Sequence, residues 1–137
     1  LRLRFEGDTR AHLEALAAGT YPVEGCGVLI GRAGNPVSVV QVTIGRNLVV
    51  ERARDRYELD PGDILAAERS ARAEGLDVVG FWHTHPDHPA RPSNFDTERA
   101  WPDYVYVICS TTAEGVADLR AWWLDAASGQ FDEAELA

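Results

Sequence analysis

Leu1, Leu3 and Phe5 alternate with Arg2, Arg4 and Glu6, the two-residue period of a strand with one buried face. A helix follows. Asp8 or Thr9 can cap it, Leu13, Leu16 and Ala17 share one helical face, and Gly19 stands where a helix stop belongs. Thr20-Tyr21-Pro22 breaks the chain, and Val23 to Ile30 is then a nearly unbroken small and apolar run, suited to a central strand covered on both faces, with Glu24 its one exception. Val37 to Ile44 is β-branched and alternating and predicts another strand. The mixed, arginine-rich stretch from Asn47 to Tyr57 fits a loop, with a further strand as an open alternative. Asp60-Pro61-Gly62-Asp63 opens a second helix with the cap and proline in favoured places. Ile64, Leu65 and Ala67 begin its apolar face and Gly75 closes it.

Asp77 to His85 is apolar on both parities until its C-terminal end turns polar, which predicts a buried strand with chemistry at its tip. A proline-rich loop from Pro86 to Pro92 leads to a short helix from Ser93 to about Trp101. Strands follow at Tyr104 to Cys109 and Val116 to Leu124, and the acidic tail after Gly129 shows no pattern. There is no internal repeat or linker. The order β-α-β-β-α-β-α-β-β predicts an α/β fold, a mixed sheet sandwiched by helices.

At 137 residues the chain is sized for one domain, residues 1–137. Its net charge of −9 opposes a sequence-independent grip on nucleic acid or on anionic membranes. All 13 basic residues are arginine, so no side-chain amine can accept an isopeptide bond, a bias expected from GC-rich coding. Methionine is absent, so Leu1 is not expected to be the translated start. No apolar run is long enough to span a membrane, and the first residues lack the apolar block of a signal peptide, so the expected compartment is the cytoplasm. Cys26 and Cys109 form no Cys-x-x-Cys pair and are expected as buried, reduced thiols.

Three of the four histidines, His83, His85 and His88, fall within six residues. His83 and His85, two apart on a strand, leave the same face and can reach one metal ion. Imidazole and carboxylate ligands favour Zn²⁺, and a catalytic zinc takes three protein ligands and keeps a fourth position open. His88, Asp87 and Asp96 are the candidates for the third ligand. Asp96 is favoured, because the loop can turn back and set the next helix beside the strand end, whereas Pro86 and Pro89 hold His88 on a stiff path away. Glu24 shares strand parity with Cys26, Val28 and Ile30 and so is expected to point inward, where burial would raise its pKa into a general base's range.

Plainer readings stand beside these. Ser93-x-x-Asp96 is also a helix capping box, Glu24 could be a solvated strand-entry residue, and Cys26 is a minor candidate ligand. Phe81, Trp82, Trp122 and Trp123 read as core, with one of them a candidate for a substrate groove. The signatures of His-Glu-x-x-His proteases, zinc deaminases and Gly-x-Ser-x-Gly hydrolases are absent.

The string H-T-H-P-D-H-P-A-R-P-S-N-F-D, with Glu24 upstream in Y-P-V-E-G-C-G-V-L-I-G, resembles the JAMM (MPN-type, Mov34/PAD1-like) zinc metallopeptidase family in its prokaryotic single-domain form. The resemblance implies a cytidine-deaminase-like fold, one Zn²⁺ held by His83, His85 and Asp96, Glu24 as general acid/base and Ser93 as stabiliser of the developing oxyanion. It also implies the substrate: an amide or isopeptide bond after the extended, Gly-Gly-type C-terminal tail of a ubiquitin-like or sulfur-carrier protein, bound as an added strand. Two alternatives remain at this point, a non-catalytic scaffold of the same fold and a zinc amidase acting on a small amino-acid adduct.

Overall fold

The computed structural model describes residues 1–137. Seven strands alternate with three helices: β1 (Arg2–Phe5), α1 (Thr9–Thr20), β2 (Cys26–Arg32), β3 (Val37–Gly45), α2 (Pro61–Ala73), β4 (Asp77–Pro86), α3 (Asn94–Arg99), β5 (Val105–Thr112), β6 (Gly115–Asp125) and β7 (Gln130–Leu136). The strands run side by side in the order β1-β3-β2-β4-β5-β6-β7. The sheet is mixed. β2 lies antiparallel to β3 and β4, β5 to β6 and β6 to β7, while β4 and β5 are parallel and β1 is parallel to both β3 and β7.

Neighbouring residues on the central strands go to opposite faces, as a pleat requires. Leu29, Trp82 and Val107 pack with Leu13 and Ala17 of α1, whereas Val28, Phe81 and Tyr106 pack with Ala67 and Ala71 of α2. The sheet is therefore covered on both sides, which is why these strands read as continuous apolar runs. Cys26 lies in the α2 core and Cys109 in the α1 core, both buried and unpaired. His83 has the parity of Phe81, so the polar tip of β4 opens on the α2 face. No helix is long and apolar enough to cross a membrane.

Gly27 shows why the second apolar run needs small residues. A Cβ there would fall 1.9 Å from the Thr43 carbonyl oxygen and 2.4 Å from Trp82 Nε1. Without that Cβ, the indole N–H crosses β2 and donates to Thr43 O at 2.8 Å.

Several boundaries differ from the sequence reading. β2 begins at Cys26, so Glu24 lies in the lead-in to the strand, where loop contacts replace strand pairing. The stretch from Asn47 to Tyr57 forms no strand. It carries a turn over 51–55 and one isolated bridge, Asn47 to Leu59. Asp8 makes no capping bond with its side chain, the Thr9 hydroxyl donates to the Glu6 carbonyl, and α1 runs one residue past Gly19. Leu65 faces solvent, leaving Ala67 and Ala71 as the buried face of α2. The acidic tail is strand β7, whose buried side chain is only Ala134, too small a signal among acidic neighbours to register as a period.

Candidate metal centre

β4 delivers His83 and His85 to one face at its C-terminal end, both buried. Beyond the loop, Ser93 caps α3 in a complete capping box. Ser93 Oγ accepts the Asp96 N–H at 3.1 Å and Asp96 Oδ2 accepts the Ser93 N–H at 2.9 Å. The box fixes the Asp96 carboxylate over the strand end, with Oδ2 3.0 Å from His85 Nε2 and 3.3 Å from His83 Nε2. The two Nε2 atoms are 3.1 Å apart.

This triangle fits a metal ion. Zinc at bond lengths of about 2.0–2.1 Å spans tetrahedral ligand edges of about 3.3–3.4 Å. The electrostatics agree. His85 Nδ1 lies 2.9 Å from the Pro89 carbonyl and donates its proton there, leaving the Nε2 lone pair facing a carboxylate oxygen in the neutral ring. Such a crowd of acceptors is stable only with a cation or a proton at its centre.

Glu24 approaches from the other side. It is buried, and one of its carboxylate oxygens lies with the His83 and His85 nitrogens in a group whose members are all within 4.8 Å of one another. The backbone beside it is docked on β4. The Gly25 N–H donates to Thr84 Oγ1 at 2.8 Å and the Thr84 N–H to the Gly25 carbonyl at 3.0 Å. Glu24 and Asp96 could each complete a three-ligand set with the histidines. Asp96 Oδ2 lies within 3.3 Å of both imidazole Nε2 atoms, and the Glu24 oxygen lies within 4.8 Å of them.

Ionisation follows from burial and neighbours. Burial pushes the Glu24 carboxyl up to about 8, against the pull of His85 and with the push of Asp96. For Asp96 burial acts upward but is overcome by His83, His85 and the Ser93 N–H, which hold the carboxyl well below the usual range. His83 is lowered by burial despite Asp96. His85 is raised, because its bonds to Asp96 and Pro89 outweigh burial. Burial pushes the Cys26 thiol up to about 12, so it stays protonated at neutral pH.

The other candidate ligands are turned away. His88 is exposed. Asp87 accepts from the Tyr21 hydroxyl at 3.1 and 2.8 Å and lies 3.6 Å from Arg54. Two features had no signal in the sequence pattern. Tyr57, in the stretch read as a possible strand, stacks on His83 with ring centroids 4.4 Å apart. A cavity of about 470 Å³ is lined by Asp96, Tyr57, Phe81, Phe95, Ile64 and Trp101 among others. Of the four aromatics read as core, Phe81 reaches this cavity, Trp82 is fully buried, and Trp122 donates its indole N–H to the Ala90 carbonyl at 3.0 Å.

Residues 8–125 match the family model described as prokaryotic homologs of the JAB domain. The chain is 40% identical over 121 residues to a desampylase of Haloferax volcanii, covering 80% of this chain and 81% of that protein. It is 35% identical over 104 residues to the probable TtuB-protein conjugate cleaving protease of Thermus thermophilus, covering 76% of this chain and 64% of that one. The solution structure of a Desulfitobacterium hafniense protein superposes with a TM-score of 0.83 at 28% identity, over 98% of this chain and 91% of the other.

Proposed function

The chain belongs to the prokaryotic JAB-domain family of JAMM (MPN-type) proteins, and on that premise we propose that it is a zinc-dependent hydrolase of ubiquitin-like protein conjugates. In this reading His83, His85 and Asp96 hold one Zn²⁺ per chain in a single catalytic domain with a cytidine-deaminase-like sheet, working in the cytoplasm. The observation that carries it is the buried triangle of His83 Nε2, His85 Nε2 and Asp96 Oδ2 with the Glu24 carboxylate beside it.

Zinc bound there would supply Lewis acidity, lowering the pKa of a water toward about 7 and polarising the scissile carbonyl. The rest is the work of this chain's residues. Glu24, whose buried carboxyl would be ionised by a cation at the neighbouring centre, takes a proton from the attacking water and returns it to the leaving amine. Ser93 is exposed and its Oγ accepts from the Asp96 N–H, which leaves its own proton free for the developing oxyanion. Tyr57 covers the open face of the His83 ring and excludes water there.

The substrate follows from the relatives and the cavity. Relatives named as a desampylase and as a conjugate-cleaving protease support a bond formed by the C-terminal tail of a ubiquitin-like or sulfur-carrier protein. An extended tail of Gly-Gly type would lie in the apolar cavity with its glycines at the centre. The test is incubation of the zinc-loaded protein with such a carrier joined to a lysine side chain, beside a short peptide with the same tail. Release of the intact carrier, faster than peptide cleavage and stopped by a chelator, is expected. Stoichiometric zinc without hydrolysis would instead mark a scaffold, and preference for the short compound a small-molecule amidase.

A further inference from the structure

The segment between β3 and α2 contributes no named strand, yet it frames the centre. Its two limbs lie side by side, with the Leu48 N–H on the Glu58 carbonyl at 2.8 Å and a bridge from Asn47 to Leu59. The Asn47 side chain fills the space between them. Its Nδ2 donates to the Glu24 carbonyl and to the Arg56 carbonyl, each at 3.1 Å, and its Oδ1 accepts the Val49 and Glu58 N–H groups, each at 3.0 Å. A carboxamide has two N–H donors and two acceptor sites, and here all four are used. The orientation is fixed by chemistry, since a flipped amide would set donor against donor and acceptor against acceptor.

Those four bonds go to telling places. Arg56 and Glu58 flank Tyr57, the ring stacked on His83. The bond to Glu24 reaches the peptide carbonyl of the proposed base, whose N–H is held by the Ala53 carbonyl of the same segment at 2.5 Å. Both peptide groups of Glu24 are thus tied to the segment that Asn47 organises. We infer that Asn47 is a positioning residue, holding Glu24 in the place beside His83 that hydrolysis requires. This inference rests on the proposed hydrolase reading. Asn47 touches no reacting atom in it and acts through Glu24, where a displacement of about 1 Å is enough to cost on the order of 10²-fold in rate.

A double-mutant cycle separates positioning from loop stability. Asn47→Ala, Glu24→Gln and the double variant are compared on a Gly-Gly-ended ubiquitin-like protein joined to a lysine side chain, with zinc content and thermal midpoint measured on each sample. For Asn47→Ala we expect one zinc per chain, a kcat at least about 10-fold lower and a KM within about two-fold. In the Glu24→Gln background the same substitution should change the residual rate by no more than about two-fold. An equal rate loss in both backgrounds, or an unchanged kcat in Asn47→Ala, overturns the assignment. If Asn47→Ala does not fold, Asn47→Ser is judged by the same criteria. A Glu24→Gln variant as fast as the parent defeats the proposed base itself, a result distinct from failure at Asn47.

Discussion

Asp96 Oδ2 does two things at once, closing the α3 capping box through the Ser93 N–H and standing within 3.3 Å of both imidazoles. Asp96→Ala should therefore lose zinc and some stability together, while His88→Ala, at an exposed position, should keep a full complement of metal. Metal analysis of the purified variants checks this, and full zinc in Asp96→Ala with loss in His88→Ala would reverse the assignment. Ser93→Ala separates two roles in one side chain. Loss of the cap lowers stability by about 1 kcal/mol, and loss of an oxyanion donor costs roughly 2.7–4 kcal/mol of transition-state stabilisation. We expect both, with the larger effect in turnover; a stability loss with unchanged turnover would leave Ser93 as a cap alone. The ligand candidates were legible in the sequence because His83, His85, Asp87, His88 and Asp96 fall in one short stretch whose spacing limits which side chains can meet. Tyr57 and Asn47 were not, because their roles depend on contacts with His83 and Glu24 that only the folded sheet creates.

At the level of elements, the centre depends on β2 lying close against β3 and β4, which Gly27 permits. Gly27→Ala would press a methyl group into the Thr43 carbonyl and the Trp82 indole, and should destabilise the protein by about 1–3 kcal/mol, read as a lower denaturant midpoint. An unchanged midpoint would mean that the sheet relaxes there at no cost. The buried strands and α2 were readable from the sequence, because a central strand covered on both faces is apolar throughout and Asp60-Pro61 is a strong helix start. β7 was hidden by its own composition. Four of its seven residues are polar or acidic and its apolar ones, Phe131, Ala134 and Leu136, do not alternate, although Phe131 and Leu136 pack against the two cores and the strand pairs with β6 and β1. The start of β2 was misplaced for another reason: Val23 and Glu24 look like strand residues, but Glu24 bonds instead to the loop carrying Ala53.

For the molecule as a whole, the buried Glu24 makes stability depend on pH. Its carboxyl is raised from 4.5 to about 8, so between those values the metal-free folded state keeps a proton that the unfolded chain has released. Stability must then fall as pH rises through that window. Asp96, held below its ordinary value, contributes stability that is lost only in more acidic solution. Thermal midpoints of the chelated protein should accordingly decline from about pH 4.5 to 8, and Glu24→Gln should flatten that decline; an identical slope in the variant would show that Glu24 titrates normally. His85, raised by Asp96 and Pro89 and in part by Glu24, adds a decline above its ordinary range that the variant keeps only in part, while His83, lowered by burial, works the other way below its ordinary range. The central claim is that three ligands hold zinc and Glu24 moves the proton. It is tested most directly by turnover of an isopeptide-linked, Gly-Gly-ended ubiquitin-like protein by the zinc-loaded parent, the chelated parent and zinc-loaded Glu24→Gln. The account requires cleavage by the first, none by the second, and a rate lower by roughly 10²-fold or more in the third despite one bound zinc; equal cleavage by all three would contradict it.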